Sequence, residues 1–298
     1  MQDIKCTSSG RYPVRSSNQW VHLAYEIYES KTTLDLHPSL KTINLVLTPG
    51  GQQGMEKTRK LAIKLIRASS KFLPHLRILI WDRRNIGNSD LCFNLSARPV
   101  QSSLSSSLLY EEANDLHLLL KGLGIPCAFL YGSSSGSRTS VLLTQLYPTD
   151  VLGVILSPPT GGTSNPNSAR DLAYKYYQRY IPAVETYGMT GVLKVKQSHY
   201  SKLIKTQTHN EKQNYKQKLL TIDPRLFLNA MQLSCDHITR TGREPFIGLT
   251  RSELQQINTP ALVIHNGDLT DTLHVLSDAK QVSFSYFIHI YVISFLYI

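Results

Sequence analysis

Clustered cysteines are missing from this sequence, and with them the sites that paired cysteines build. The four cysteines in 298 residues are Cys6, Cys92, Cys127 and Cys235. No two of them form a Cys-x-x-Cys pair, whereas structural zinc sites and disulfide frameworks need clustered cysteines. We therefore expect neither kind of site, and we expect Cys127 to pack as a small apolar side chain in a buried strand.

An apolar secretory segment is also missing from the amino terminus. The first eight residues read Met-Gln-Asp-Ile-Lys-Cys-Thr-Ser, and a signal peptide needs an apolar core of about 7–15 residues. Without such a signal, the glycosylation sequon at Asn94-Leu95-Ser96 carries little weight. The expected location is the cytoplasm.

Acidic residues are scarce relative to basic ones. The chain has 21 aspartates and glutamates against 32 lysines and arginines, a formal net charge of +11. Positions 170–218 hold ten basic side chains and three acidic ones. This excess is typical of a solvated helix face, although it can also attract an anionic substrate, a membrane surface or nucleic acid. No nucleic-acid-binding motif accompanies it, so we expect no nucleic-acid partner.

What the sequence does contain is an alternation of short apolar runs with helical periodicity. The apolar runs, each predicting a strand, cover 20–28, 42–48, 77–81, 127–131, 151–156 and 259–265. Segments 56–69 and 110–123 repeat apolar residues with helical spacing. Strands separated by helices predict the α/β class, with a mostly parallel sheet covered by helices on both faces.

The strand pattern stops between residues 160 and 258, where aromatic-rich helical segments replace it. We interpret 160–258 as a helical cap inserted into an α/β core, which 1–159 and 259–282 form. Residues 283–298 are an atypical apolar tail.

One stretch combines a strand, a tight turn and a helix. Residues 129–137 read Phe-Leu-Tyr-Gly-Ser-Ser-Ser-Gly-Ser, a Gly-x-Ser-x-Gly pentad centred on Ser134, and helical periodicity follows it. This is the pattern of a nucleophile elbow, in which small flanking residues such as Gly132 and Gly136 relieve crowding at a strained turn. Ser134 is therefore the candidate nucleophile, and a structural turn serine is the alternative.

Two further unusual loops follow predicted parallel strands. Gly50-Gly51 comes after the strand at 42–48, and 82–90 comes after the strand at 77–81. Active-site loops of parallel sheets lie beyond the carboxyl ends of the strands. We therefore expect both loops and Ser134 along one sheet edge.

Together these motifs resemble the α/β-hydrolase superfamily over about residues 20–282. Leu-Thr-Pro-Gly-Gly at 47–51 resembles its oxyanion-hole loop, and 82–90 is similar to its Asp-x-Arg-Gly-x-Gly-x-Ser segment, with Asn85 where glycine is usual. Residues 260–268 resemble the strand and loop that carry the acidic triad member. The cap and loops look closest to the group of carbon–carbon bond hydrolases, cofactor-free haloperoxidases and proline iminopeptidases.

The resemblance implies roles for particular residues. A serine hydroxyl needs a base to become nucleophilic, and the acid that orients this base would be Asp268, with Asp271 as the fallback. The backbone N–H of Ser135, by the elbow geometry, and that of Gly51 would bind the developing oxyanion.

The loop at 82–90 carries four charged residues whose roles differ. Asp82 and Asp90 are expected to brace the loop through backbone hydrogen bonds. Arg83 and Arg84 can pair with these aspartates or reach an anionic substrate, and the sequence does not choose between the two.

A histidine base in the family's usual place is missing. The order serine, aspartate, histidine requires one after Asp268, but His274 follows by only six residues and His289 lies inside the apolar tail. His289 is the remaining candidate base. The histidines with an expected structural or surface role are His199, His209, His237 and His265.

The tail itself allows three interpretations. We favour replacement of the natural carboxyl end by a truncated or mis-spliced coding sequence. The others are a strand that docks at the last sheet position, which could bring His289 near the site, and a membrane-associating tail. The 17 residues of the run 282–298 are just at the lower limit for a span.

The expected function is that of a cofactor-independent serine hydrolase acting on an ester, amide or activated carbon–carbon bond of a small-molecule substrate. The missing histidine motivates the alternative of a non-catalytic ligand-binding protein on the same fold. A membrane-bound hydrolase is a weaker third option. The substrate and the oligomeric state are not indicated.

Overall fold

The computed structural model describes residues 4–16, 19–30, 42–70, 72–73, 75–96, 106–159, 167–200, 209–242, 244, 248–265 and 291–294. The strands within these ranges are β1 (Ile4–Ser16), β2 (Gln19–Ser30), β3 (Ile43–Thr48), β4 (Leu76–Trp81), β5 (Ala128–Ser134), β6 (Val151–Pro159), β7 (Ala261–His265) and β8 (Tyr291–Ser294). The α-helices are α1 (Glu56–Ser69), α2 (Leu108–Gly122), α3 (Ser135–Leu146), α4 (Asn167–Tyr176), α5 (Ile181–Tyr200), α6 (His209–Leu220), α7 (Pro224–Arg240) and α8 (Arg251–Leu254).

The strands form one sheet in the order β1-β2-β4-β3-β5-β6-β7-β8. β1 and β2 pair antiparallel with each other, and β2 pairs antiparallel with β4. All other neighbours are parallel. The prediction of a mostly parallel sheet is confirmed, and the carboxyl ends of β3, β4 and β5 meet at one edge.

Helices cover both faces of this sheet. On one face, residues of α2 and α3 such as Leu116 and Leu142 form a buried cluster with Leu79 and Leu130 of the strands. On the other face, residues of α1 such as Ile66 form a second buried cluster with the strand side chains that point to that face. The alternation of strand side chains between the two clusters follows from the two-residue period of a β-strand.

Strand β1 is absent from the sequence-based prediction. Most of its side chains are exposed or half-buried, so it has little of the apolar pattern by which a strand is recognised. Its register comes from tertiary pairing with β2 along almost its whole length, from Ile4 opposite Ser30 to Ser16 opposite Gln19.

The prediction for Cys127 is wrong in its detail. β5 begins one residue later, and Cys127 is half-buried instead of lying inside the buried strand. Its backbone carbonyl accepts a 3.1 Å hydrogen bond from the side-chain amide of Asn44.

The described residues between β6 and β7 are mainly helical. Buried residues among them such as Val192, Leu219 and Phe227 form a second cluster with Phe93 and Leu108. We call residues 160–258 the insertion. Several hydrogen bonds fasten it to α2 and its N-cap. The Ser234 hydroxyl of α7 accepts the Leu108 backbone N–H at 3.0 Å, and the Tyr110 hydroxyl donates to the Gly248 carbonyl at 3.4 Å. The division of the chain into domains at 159, 258 and 282 stays a prediction.

Strand β8 belongs to the apolar tail. It pairs in parallel with β7, from Leu262 opposite Tyr291 to His265 opposite Ser294. These four residues agree with the interpretation that the tail supplies a last strand, while 283–290 and 295–298 lie outside the described residues. The origin of the tail stays a prediction. Within the described ranges no helix has both the length and the apolar character needed to cross a membrane.

A buried ion-pair cluster connects the loop after β4 to α2. Arg84, with a fully buried side chain, donates two hydrogen bonds to the Asp115 carboxylate at 2.6 and 2.7 Å. It also lies 3.3 Å from a carboxylate oxygen of Glu111 and donates to the Ser16 hydroxyl. Arg84 therefore pairs with acids of α2, and the pairing with Asp82 or Asp90 considered from the sequence is not observed.

Replacing Arg84 with methionine should lower the free energy of unfolding by about 3–5 kcal/mol, because Asp115 and Glu111 would stay buried without their cation. Urea titration monitored by circular dichroism measures this. Arg11→Met is the matched control, since the Arg11–Asp90 pair has side chains 41% and 27% exposed and should contribute less than about 1 kcal/mol. Equal losses in the two variants would contradict the cluster's role.

Candidate active site

The junction of β5 and α3 holds Ser134 in a strained backbone conformation. β5 ends at Ser134, α3 begins at Ser135, and Ser134 has φ 51° and ψ −116°. Among the described residues other than glycine, Asn85 is the other one with positive φ. A side chain in this region of φ/ψ space costs on the order of 1–3 kcal/mol and clusters at functional sites. The geometry is that of a nucleophile elbow.

The two glycines of the pentad stand where no side chain fits. A Cβ added at Gly132 would lie 2.4 Å from the Gly136 carbonyl oxygen, and one added at Gly136 would lie 2.3 Å from the Thr48 carbonyl oxygen. Real Cβ atoms essentially never approach that closely. The strand, the helix and the end of β3 are therefore in direct backbone contact, as the sequence argument required.

The loop after β3 lies against the elbow. A Cβ at Gly50 would be 2.8 Å from the Ser134 Cβ, and Gly51 has φ 58°. The Gly51 N–H donates a 2.6 Å hydrogen bond to the Ser135 hydroxyl. The amide expected to bind an oxyanion is thus beside the elbow, but in this structure a serine hydroxyl occupies it. Ser135 also supplies an N–H of the first turn of α3, where backbone donors have no partner within the helix.

Asp82 braces the two loops. Its carboxylate accepts the Met55 N–H at 2.6 Å and the Asn88 N–H at 2.8 Å. Burial outweighs these hydrogen bonds and raises the pKa of Asp82 to about 6. Asp90 accepts the His22 backbone N–H at 2.9 Å. Both aspartates hold backbone groups, in line with the sequence prediction.

Asn85 stands where the Asp-x-Arg-Gly-x-Gly-x-Ser segment usually has glycine, and the structure explains why asparagine is accepted there. It has φ 66°, a left-handed conformation that asparagine tolerates better than most residues. Its side-chain oxygen accepts the Cys92 N–H at 2.7 Å, and its amide donates to the Cys92 carbonyl at 3.0 Å. These two hydrogen bonds join Asn85 to Cys92 and close the loop at a position where glycine is usual.

Of the four histidine side chains in the described residues, three are bonded away from the elbow, and the fourth, His75, precedes β4 at the opposite sheet edge. His22 bonds Asp90 at 2.9 Å, and His117 pairs with Asp150 next to the far end of α3. His237 donates from Nε2 to the Gly248 carbonyl at 2.9 Å, so its Nδ1 accepts from Ser107, 2.7 Å away. These contacts give all three a structural role.

The other expected members of the site lie outside the described residues. They are Asp268, Asp271, His274 and His289. The described chain stops at His265 of β7 and resumes at Tyr291 of β8. Because β8 is parallel to β7, Tyr291 begins at the sheet edge opposite Ser134. The acid and base assignments stay predictions.

A small cleft of about 20 Å³, partly open to solvent, lies beside the elbow. Its polar lining includes Arg83, Glu112, Ser135, Arg138 and Tyr176. Sequence reasoning left Arg83 undecided and missed Glu112, Arg138 and Tyr176. Arg138 comes four residues after Ser134, one helical turn along α3. That spacing could have indicated from the sequence that Arg138 lies near the elbow. Within the described ranges, no three His, Cys, Asp or Glu side chains are placed to hold a metal ion.

No protein-family model and no curated protein sequence matches the chain. Solved structures do match it. A probable hydrolytic enzyme from Pseudomonas aeruginosa aligns over 97% of this chain and 87% of its own, with 15% identity and a TM-score of 0.52. The enol-lactonase from Burkholderia xenovorans aligns over 95% and 91%, with 17% identity and a TM-score of 0.50. The N-acyl homoserine lactone degrading enzyme Est816 aligns over 95% and 92%, with 15% identity and a TM-score of 0.51.

The chain has the α/β-hydrolase fold. At such low identities the likeness extends to the fold alone. Ser134 lies at the junction of β5 and α3 in a strained conformation, and its role as a nucleophile stays a prediction.

Backbone strain at Ser134 predicts an unusual order of stability. The free energy of unfolding of Ser134→Gly should be roughly 1 kcal/mol higher than that of Ser134→Ala. The glycine variant is the more stable one because glycine adopts positive φ without steric cost. Both variants lose the hydroxyl, so the difference reports the backbone. Chemical denaturation of the two proteins measures it.

The control for this pair is Ser140, inside α3. There the order should reverse, with Ser140→Gly roughly 1 kcal/mol below Ser140→Ala, since glycine weakens a helix interior. Glycine below alanine at both positions would show that Ser134 is not strained.

The raised pKa of Asp82 predicts a pH-dependent stability. Its folded pKa of about 6 exceeds the ordinary value of 3.8, so the folded state holds the proton more tightly and its stability falls as pH rises through this window. The wild-type free energy of unfolding minus that of Asp82→Asn should decline by up to about 3 kcal/mol between pH 4 and pH 7, from roughly two pKa units. Urea titrations at several pH values measure the slope.

Asp90→Asn is the matched control. Burial opposes ionisation there, but hydrogen bonds from His22 and the contact with Arg11 prevail and lower the pKa of Asp90. Its contribution is lost only as the pH falls below the ordinary aspartate range. From pH 5 to pH 7 its difference should therefore change by less than about 1 kcal/mol, the range for an exposed pair such as that with His22. A flat difference for Asp82→Asn would contradict its raised pKa.

Proposed function

We propose that the chain is a cofactor-independent serine hydrolase in which Ser134 attacks a carbonyl carbon of a small substrate. The observation that carries this proposal is the positive φ of Ser134 at the β5–α3 junction, inside an α/β-hydrolase fold. The surrounding backbone is too close-packed for any residue but glycine at two flanking positions. Strain of this kind supports a functional role for the serine rather than a simple turn.

The proposed oxyanion donors are the backbone N–H groups of Ser135 and Gly51. The Gly51 N–H now bonds the Ser135 hydroxyl at 2.6 Å, so substrate must displace that hydroxyl by rotation about its Cα–Cβ bond. Arg83 lies 3.3 Å from the same hydroxyl and can retain it as a partner. One oxyanion donor typically contributes about 100- to 1,000-fold to the rate.

Asp268 is the proposed acid, with Asp271 as the fallback acid. His289 is the base candidate that the sequence leaves, but β8, which begins two residues later, starts at the sheet edge opposite Ser134, and this placement counts against it.

The base is expected in the later segments, because His22, His117 and His237 are bonded elsewhere. His75 directly precedes β4 and therefore lies at the sheet edge opposite the elbow. A serine hydroxyl without a well-placed base is a weak nucleophile. We therefore expect slow turnover by this chain.

The insertion is the proposed cap. α4 ends at Tyr176. The hydroxyl of this tyrosine lies 3.7 Å from the position that a Cβ would take on Gly51. Tyr176 and Tyr177 both line the cleft beside the elbow. The names of two structural neighbours describe lactone-cleaving enzymes, and for that reason carboxylic esters come first among the ester, amide and carbon–carbon substrates to be tested.

Labelling with a fluorophosphonate tests the nucleophile. We expect a covalent adduct on Ser134, located by peptide mass spectrometry, and no adduct in Ser134→Ala. Ser140→Ala is the matched control, since Ser140 is buried and its hydroxyl bonds the Gly136 carbonyl; it should label like the wild type. Equal labelling of the wild type and Ser134→Ala would remove the nucleophile assignment.

A non-catalytic ligand-binding protein on the same fold is the second candidate. The engagement of His22, His117 and His237 in structural hydrogen bonds favours it. Hydrolysis of p-nitrophenyl butyrate separates the two functions: a rate that falls to background in Ser134→Ala supports the hydrolase. Equal background rates in both proteins support the binding protein.

A further inference from the structure

Helix α1 carries a stripe of positive charge along its solvent face. Four of its exposed side chains are cationic, namely Lys57, Lys60, Lys64 and Arg67. At 3.6 residues per turn they fall within about a quarter of the helix circumference. The residues that α1 buries against the sheet, Thr58, Ala62 and Ile66, lie on the opposite side of the helix. We call the four cations the basic stripe.

Within the described ranges, no acid neutralises the basic stripe. None of its members takes part in an ion pair there, and the one acid of α1, Glu56, is its first residue. Helix α1 also contacts β2, whose two acids are already paired, Glu26 with Arg59 and Glu29 with Arg77. This surface therefore has a positive potential that attracts anionic partners.

Two large apolar side chains stand just beyond the carboxyl-terminal end of α1. Phe72 is 82% exposed, the highest value among the large apolar side chains of the described chain, and Leu73 is 41% exposed. Their backbone N–H groups both donate to the Ser69 carbonyl, at 2.8 and 2.7 Å, so the backbone that presents them is fixed. A single exposed apolar residue is ordinary, but here two adjacent ones follow a cationic helix face. We call Phe72 and Leu73 the apolar tip.

The apolar tip lies on the side of the molecule away from the elbow. Helix α1 runs from the carboxyl end of β3 to the amino end of β4, and these two strands are parallel. Phe72 is therefore at the sheet edge opposite Ser134. A partner bound to the basic stripe and the apolar tip leaves the elbow edge open to solvent.

We infer that the basic stripe and the apolar tip bind the surface of an anionic phospholipid membrane. Each lysine or arginine near such a surface gains about fivefold in affinity from the anionic headgroups, and phenylalanine gains by burial at the boundary of headgroups and acyl chains. Nucleic acid would attract the same cations, but an exposed leucine gains nothing from a phosphate backbone. Lipid therefore accounts for both features. The inference does not depend on the proposed hydrolase activity.

Co-sedimentation of the intact chain with vesicles tests the inference. One set of vesicles contains equal parts of phosphatidylserine and phosphatidylcholine, and the other contains phosphatidylcholine alone. We expect binding to the mixed vesicles to be on the order of 100-fold tighter, because four cations contribute. Equal binding to the two sets, or no binding to the mixed vesicles, would overturn the inference.

A double substitution locates the electrostatic contact. Lys60→Gln with Lys64→Gln should weaken binding to the mixed vesicles about 25-fold, from about fivefold per cation. The matched control is Lys216→Gln with Lys218→Gln, which removes two exposed cations of α6 and changes the net charge equally. It should change binding less than about twofold, since distant charges are screened. Equal losses in the two double variants would show attraction by net charge alone and would overturn the assignment to α1.

Substitutions of Phe72 test the apolar contact independently of the lysines. Phe72→Ala should weaken binding to the mixed vesicles about tenfold, the lower range for burying a large apolar side chain. Trp20→Ala is the control, because Trp20 is 61% exposed but precedes the part of β2 that pairs with β4, near the elbow edge. A loss with Trp20→Ala and none with Phe72→Ala would overturn the proposed orientation.

Fluorescence gives a second measure of the same orientation. The emission of Phe72→Trp should move to shorter wavelength when mixed vesicles are added, whereas the wild type, with Trp20 exposed and Trp81 buried, should not change. A shift in the wild type as large as that in Phe72→Trp would contradict the inference. Tighter binding of double-stranded DNA than of mixed vesicles would overturn the membrane in favour of nucleic acid.

Discussion

The structure depends on a close approach between two backbones, that of the elbow and that of the loop after β3. A Cβ on Gly136 would meet the Thr48 carbonyl at 2.3 Å, and one on Gly50 would meet the Ser133 carbonyl at 2.7 Å. Thr48 is held in turn by Trp81 of β4, whose indole N–H donates to the Thr48 hydroxyl at 3.0 Å. Three neighbouring strands thus end in mutual contact, which forces Ser134 into its strained conformation and brings Gly51 beside it.

Two consecutive arginines in the loop after β4 have different roles. Arg84 is neutralised by Asp115 and Glu111 of α2, so it fixes the loop and adds no net positive charge to the site. Arg83, one residue earlier, points to the neighbourhood of the elbow through its bonds with Gly51 and Ser135. The contrast follows from the number of acids within reach: two carboxylates contact Arg84, whereas Glu112 must serve Arg83 and a threonine hydroxyl as well.

The sequence predicted the parts of the fold that local pattern determines. The buried strands, α1, α2 and the elbow each have a periodicity or a glycine requirement that can be seen within about ten residues. β1 could not be predicted, because its polar residues pair with β2 through tertiary register instead of burying an apolar face. The choice between roles for Arg83 and Arg84 was likewise open, since it depends on which acids of α2 lie beneath the loop.

The site also shows where sequence reasoning stops for a physical reason. Gly51 was predicted to supply an amide, but no pattern indicates that the Ser135 hydroxyl occupies that amide. This contact links the elbow to the charged cleft, because the same hydroxyl receives a hydrogen bond from Arg83. In the proposed hydrolase, an oxyanion that took the Gly51 N–H would displace the Ser135 hydroxyl, which could keep Arg83 as its partner. The proposed oxyanion site would thus open by the rotation of one serine side chain.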